Sequence, residues 1–292
     1  MRILLSKLPK TGWWHNGIPK YLDNPAMQEG AVPDLKQLAM ERLSLINIIE
    51  MSGHEVVEVN FPIELDGKSP KHDFVFIRDS FISDQRGTAV ILRAGEPLRR
   101  EENKIIRYIL ESIGMNVTQI PDRPGVRADG GEFYFCKKDN VLFSGLQRNS
   151  QIGADYVAQA LNVNEMIILE GLGYHLDTFF TPALKKDGTI GALIICTSLL
   201  SDNSKKVLYT FADDKNIPVF DIPIKDAIGT PKKIGSFAAN ALPLPGILIR
   251  PNHFTDQHID EQLMKIGIQS FITSTNQFQL SGGSVHCITN EL

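Results

Sequence analysis

The chain is 292 residues long, 42% hydrophobic and 22% charged, proportions of an ordinary globular protein able to bury a sizeable core. Its 30 Lys and Arg against 34 Asp and Glu give a net charge of −4, so no basic excess stands ready to neutralise phosphates, and nucleic acid is not an expected partner. The apolar run in residues 1–10 is too short for a secretion signal or a membrane span. The widely spaced Cys136, Cys196 and Cys287 suit neither a disulfide framework nor a zinc site, which points to a reducing, cytoplasmic setting.

In chain order, the pattern predicts a strand over 2–5 and a helix over 34–51, whose Leu35, Leu38, Leu43, Leu45, Ile46 and Ile49 share roughly one face and which Gly53 ends. Strands are predicted over 55–60, 74–77 and 89–92, then a helix over 101–112 and a strand over 116–120. Further strands are expected over 132–136 and 141–144, a helix over 155–161, and strands over 166–169 and 192–196. A helix over 204–216, strands over 217–220 and 247–250, a helix over 256–265 and a strand over 269–272 complete the series. Strand, helix and strand thus recur about five times without a dividing linker, which argues an α/β fold in one domain, residues 1–292.

Four segments carry chemistry. Near the C-terminus, Gly282 and Gly283 precede Cys287, so the backbone there can take positive φ or approach a ligand closely. A thiolate is a competent nucleophile near neutral pH and a good leaving group later; a buried core cysteine is the plain alternative. His286 is its neighbour, but consecutive residues of an extended segment face opposite ways, so the base is expected elsewhere. In Glu170-Gly-Leu-Gly-Tyr-His175-Leu-Asp177-Thr178, extended backbone would put His175 and Asp177 on one face after a Gly-rich turn, an imidazole and a carboxylate suited to proton delivery. In Arg127-Ala-Asp129-Gly-Gly-Glu132, two carboxylates flank a glycine pair, either an acidic β-turn or a fork for a guanidinium. The apolar run 74–77 ends in Arg78-Asp79, and Arg99-Arg100 open a helix where a solvated face is the ordinary reading.

Taken in order, the set resembles the guanidine-modifying superfamily, the penteins: Asp79 after an apolar run, Asp129-Gly-Gly-Glu132, His175-Leu-Asp177-Thr178, then Gly-Gly-x-x-x-Cys287. That superfamily includes arginine deiminases, dimethylarginine dimethylaminohydrolases, amidinotransferases and arginine dihydrolases. The resemblance spans nearly the whole chain. It is closest in wording to the dimethylarginine hydrolases at Ala89-Val-Ile-Leu-Arg-Ala-Gly-Glu-Pro-Leu-Arg-Arg-Glu101 and at Gly145-Leu-Gln-Arg148-Asn-Ser-Gln-Ile-Gly-Ala154. It implies a five-bladed α/β propeller of ββαβ units around a central pocket. It further implies Cys287 as the nucleophile forming an amidino-thioether, His175 as acid and base, and Asp129 holding the imidazole or the guanidinium. Asp79 and Asp177, with Glu132, would bind the guanidinium, and Arg99 and Arg148 the substrate α-carboxylate.

The substrate this implies is a small guanidine, arginine or a derivative, cleaved hydrolytically to citrulline without metal or organic cofactor; membranes are not involved and a homo-oligomer stays open. Local wording points several ways within the superfamily. His175-Leu-Asp177-Thr178 is more like deiminases and amidinotransferases, and His286-Cys287 like amidinotransferases. Asn24-Pro-Ala-Met27 resembles the arginine dihydrolases, where this chain has Asp79 in place of their Asn. An amidinotransferase and an arginine dihydrolase are therefore alternatives. A non-catalytic propeller binding protein is disfavoured, because a binding surface needs none of Cys287, His175, Asp129 and Asp79 together.

Overall fold

The structure, a computed structural model, describes residues 1–11, 24–66 and 72–292. Among them one arrangement of three strands occurs five times: two strands pair antiparallel, a helix follows, and a third strand returns parallel to the second. A parallel neighbour needs such a crossover, and the helix supplies it. One unit comprises Phe81–Ser83, Thr88–Ile91, helix Glu102–Ser112 and Asn116–Gln119. The next comprises Phe133–Cys136, Val141–Ser144, helix Gln151–Ala160 and Glu165–Ile168. A third has Phe180–Leu184, Ile190–Ile195, helix Asp202–Lys215 and Val219–Asp221. A fourth has Leu242–Leu244, Ile247–Arg250, helix His258–Lys265 and Gln269–Ile272.

The remaining unit joins the two ends of the chain. Asn290–Glu291 pairs antiparallel with Arg2–Ser6, which pairs parallel with Glu55–Val59 beyond helix Leu35–Met51. The Leu292 amide donates to the Arg2 carbonyl at 2.9 Å, which anchors Cys287 just upstream of this closing strand. Middle strands such as Ile190–Ile195 are buried along their whole length, so they read in sequence as continuous apolar runs. Side-chain caps set the helix starts: Asp34 accepts from the Gln37 amide, Ser150 from Gly153 and Ser201 from Ser204. Among the described residues no helix is long and apolar enough to cross a membrane.

Two sequence expectations change. The run 74–77 is not a strand; it lies in the short 3-10 turns His72–Val75 and Ile77–Ser80. Phe74, Val75, Phe76 and Ile77 are all buried, so an apolar run there reports burial and not strand geometry. Glu132 likewise ends a 3-10 turn, Gly130–Glu132, ahead of its strand. Both turns belong to a common pattern, in which each unit's first strand follows a tight segment. Ile77–Ser80 precedes Phe81, Gly130–Glu132 precedes Phe133, and Leu176–Thr178 precedes Phe180. Asn240 and Cys287 hold the corresponding places before Leu242 and Asn290.

Candidate active site

These turns meet. Cys287 is 4% exposed and lines a cavity of roughly 920 Å³ together with His175, Asp79, Arg99 and Arg148. Gly282 takes φ +89°, and a Cβ on Gly283 would fall 2.1 Å from the Phe76 ring, so the glycine pair lets the chain turn and pack against an aromatic before reaching Cys287. His286 points the other way, into a separate cavity of roughly 500 Å³. It stacks on Tyr134 with ring centroids 4.2 Å apart, and its Nδ1 lies 2.9 Å from Asp177 Oδ2. Residues 285–288 form a turn and not the extended segment that the sequence suggests, yet the two side chains still diverge.

His175 presents its ring to the first cavity. Its Nδ1 lies 3.6 Å from Asp79 Oδ1, and its buried Nε2 has no hydrogen-bond partner among the described residues. Burial lowers the imidazole pKa to about 3, so the ring is neutral in ordinary buffers and open to accept a proton. Asp177 does not share its face: the backbone curls into the Leu176–Thr178 turn instead of staying extended. Asp177 Oδ2 lies behind the sulfur, 3.4 Å from Cys287 Sγ, while its buried Oδ1 has no partner among the described residues. Burial drives the Asp177 carboxyl pKa well above its usual value. Burial, with the nearby carboxylates of Asp177 and Asp79, likewise raises the Cys287 thiol.

Asp79 Oδ1 accepts from the Gly131 amide at 3.1 Å, and its other oxygen pairs with Arg99. Burial pushes this carboxyl up, but His175, Arg99 and the hydrogen bonds together outweigh burial and hold it below the usual value. Arg99 departs from the role its motif implies. Its guanidinium is engaged with Asp79, with both oxygens of Glu102 at 2.9 and 3.1 Å, and with the Asp73 and Phe76 carbonyls. It is 6% exposed and serves to hold the Asp79 carboxylate, which leaves little of its fork for a substrate. Arg148 keeps its guanidinium at the cavity wall, 5.3 Å from the Tyr174 ring centroid.

Asp129 and Glu132 stand off the cavity. Asp129 Oδ2 accepts from the Gly95 amide at 2.8 Å, and burial with the nearby Asp79 charge raises its carboxyl to about 6. The carboxylate beside His175 is therefore Asp79, not Asp129. Glu132 ties together two loops, accepting from the Arg148 amide at 2.6 Å and the Leu176 amide at 2.8 Å, while burial pushes it up to about 8. The two carboxylates thus tie neighbouring loops to either end of the glycine turn between them. A Cβ on Gly130 would lie 1.8 Å from the Arg78 carbonyl oxygen, a backbone atom with no room to yield. Gly130→Ala is accordingly expected to cost about 3 kcal/mol or more, read as a lowered denaturation midpoint.

One residue at the centre has no counterpart among the sequence candidates. Asn240, fully buried, donates from Nδ2 to Cys287 Sγ at 3.1 Å and to the Asp177 carbonyl at 3.0 Å. A lone Asn among alanines and prolines carries no spacing or charge pattern that would single it out. Among the described residues no three His, Cys, Asp or Glu side chains gather as a metal-ligand set. The arrangement is instead a thiol and a neutral imidazole at a cavity with buried carboxyls around them, an environment that favours a cation.

No family model matches the chain. Among solved structures it is similar to the N-terminal domain of ArgZ, an arginine dihydrolase from the ornithine–ammonia cycle in cyanobacteria, in a cysteine-to-serine mutant bound to substrate. That match has a TM-score of 0.78 and 22% identity over 99% of this chain and 96% of that one. Unliganded AgrE matches with a TM-score of 0.78 and 22% identity over 99% of this chain, which spans 39% of that protein's length. A dimethylarginine dimethylaminohydrolase adduct with 4-chloro-2-hydroxymethylpyridine matches with a TM-score of 0.70 and 14% identity, over 100% of this chain and 99% of that one. The chain therefore has the mixed α/β fold of these structures.

Proposed function

We propose that this protein is a hydrolase that cleaves a guanidine C–N bond of arginine or a close derivative through a covalent Cys287 intermediate. The observation that carries the reading is the meeting of Cys287 and His175, from turns far apart in sequence, at one cavity with the Asp79 carboxylate beside them. Among the described residues His175 Nε2 at the cavity and Asp177 Oδ1 behind the sulfur are buried acceptors without donors, and a guanidinium offers donors in a planar fork. In this reading the five sheets are the blades of one propeller, residues 1–292, whose pre-strand turns converge on the axis.

The chemistry follows from the charges. A guanidinium carbon is a poor electrophile, because three nitrogens share its positive charge. The Asp79 carboxylate, joined by Asp177 once the bound cation offsets the burial that raises its carboxyl, holds the cation and keeps charge on the nitrogens, away from the carbon. The same cation favours the thiolate, offsetting the burial that keeps the thiol neutral in the free protein. As sulfur bonds to carbon, the thiol proton passes to His175 and then to the departing nitrogen, which leaves as an amine and leaves an amidino-thioether on Cys287. Water gives a proton to His175, its oxygen bonds to the same carbon, and the C–S bond breaks to return the thiol and release a urea product. From arginine, that product is citrulline and the amine is ammonia.

A second reading has its own support. Asn24 lines the same cavity, held by the Leu280 carbonyl and the Met27 amide at 3.0 Å each, and the ArgZ and AgrE folds match with TM-scores of 0.78. In that reading arginine takes up two waters and leaves as ornithine, two ammonia and carbon dioxide. Mass spectrometry of arginine, N-methylated arginines and agmatine incubated with the protein separates the outcomes. Citrulline with one ammonia supports the first, ornithine with two ammonia the second, and no consumption of any guanidine overturns both.

The far end of the substrate is assigned to Arg148. Arg148→Ala is expected to lower kcat/KM for arginine by on the order of ten- to a hundredfold, mainly through KM, because a charge-assisted contact to the α-carboxylate is lost. Agmatine, which lacks that group, is expected to be a poor substrate for the wild type and nearly indifferent to the mutation. Equal sensitivity of the two substrates rules the assignment out.

A further inference from the structure

The geometry points to Asn240 as a further catalytic residue, the side-chain hydrogen-bond donor that aims the Cys287 sulfur and favours its thiolate. The inference rests on Cys287 being the nucleophile, and it concerns a pre-strand position that touches the sulfur and that the proposed reaction leaves unused.

The orientation of the Asn240 amide is dictated by its neighbours. Oδ1 faces the His286 amide at 2.9 Å and the Cys287 amide at 3.4 Å, both of which can only donate. Nδ2 faces the Asp177 carbonyl at 3.0 Å, which can only accept, and the sulfur at 3.1 Å. A flipped amide would set donor against donor twice and acceptor against acceptor once, so the N–H pointing at sulfur is fixed. With one hydrogen on the Asp177 carbonyl and the oxygen on two amides, the group cannot swing away from Sγ.

Two groups thus pull on the sulfur in opposite senses. Asp177 Oδ2 lies 3.4 Å away and, whenever that carboxyl is ionised, can only take a hydrogen bond from a protonated thiol. As a carboxylate it disfavours the thiolate, whereas the Asn240 N–H bonds best to the thiolate and offsets that repulsion. Asn240 does not itself line the cavity that holds Cys287 and His175. Its removal therefore changes the nucleophile and leaves the substrate contacts in place.

Asn240→Asp keeps the shape and the oxygen that receives both amides but turns the donor into a second acceptor. Its effect is read first without substrate, by the pH dependence of iodoacetamide alkylation at Cys287 mapped by mass spectrometry. The midpoint is expected to rise by about one pH unit or more. With the substrate the protein turns over, kcat at neutral pH is expected to fall by about tenfold or more, with KM within about threefold. Asn240→Ser, which shortens the side chain without adding charge, is the second variant and should shift both readouts the same way by less. A folded Asn240→Asp whose alkylation midpoint and kcat match the wild type overturns the inference. So does failure of both variants to fold, since Asn240 would then be structural. The alkylation arm needs no guanidine, so a wild type inactive on every guanidine would sink the proposed reaction and leave this result readable on its own.

Discussion

Cys287→Ser is expected to fold like the wild type and to lose turnover by on the order of 10⁴-fold or more. The side chain is 4% exposed and the replacement nearly isosteric, so hydrogen bonds from Asn240 and toward Asp177 can persist with oxygen in place of sulfur. Nucleophilicity cannot persist. A serine hydroxyl is far less acidic than a thiol and a weaker nucleophile, so a bound cation that favours the thiolate does not yield a serine alkoxide. The other two cysteines supply the control. Cys136 is buried in a strand within the apolar core, and Cys196 lies against Ser198 Oγ at 3.2 Å. Neither lines the cavity of Cys287, so Cys136→Ser and Cys196→Ser are expected to keep wild-type kcat/KM within about threefold while losing some stability. Steady-state kinetics on the three variants, with circular dichroism to verify folding, decides the matter. Full activity in Cys287→Ser ends the covalent mechanism.

How far this centre can be read from residues alone depends on the kind of signal each element leaves. Middle strands such as Thr88–Ile91 and Val141–Ser144 are apolar runs and stand out. The strands that pair in front of them, apart from the aromatic Phe133–Cys136, do not. Asn290–Glu291 is two residues long, and Phe180–Leu184 and Leu242–Leu244 contain Pro182 and Pro243, which survive because those strands lie at sheet edges. Yet these unread strands immediately follow the turns that build the centre. Cys287 and His175 were legible because nucleophile and imidazole chemistry is carried by residue type. Asp177 was legible as a carboxylate but not in direction, since a 3-10 turn replaced the extended backbone that would have put it beside His175. Arg99 shows the same limit: its charge is plain in the sequence, but its partners Asp79 and Glu102 are known only once the fold assembles them. Asn240 left no trace, because a neutral amide acquires meaning only from the four groups around it.

His175→Ala should slow turnover by roughly 10²- to 10⁴-fold and do so unevenly along the reaction. In the proposed sequence the imidazole acts twice, giving a proton to the departing nitrogen and later taking one from water. A substrate whose leaving group departs without a proton, such as an S-alkyl isothiourea analogue of arginine, bypasses the first act but not the second. The variant is therefore expected to form the Cys287 adduct with this analogue and to hydrolyse it slowly, so that intact-mass spectra show an accumulating amidino-protein absent from the wild type. His286→Ala is the comparison that makes the result specific. That imidazole is as buried as His175, but it stacks on Tyr134 and hydrogen-bonds Asp177 on the far side of the Cys287 peptide. Its loss opens a cavity and unpairs a carboxylate, which costs stability on the order of 2–4 kcal/mol without removing the proton carrier at the substrate cavity. A stable adduct in His175→Ala and none in a less stable but active His286→Ala fits the assignment. If His286→Ala is the crippled variant and His175→Ala turns over normally, the proton carrier has been placed on the wrong side of the sulfur.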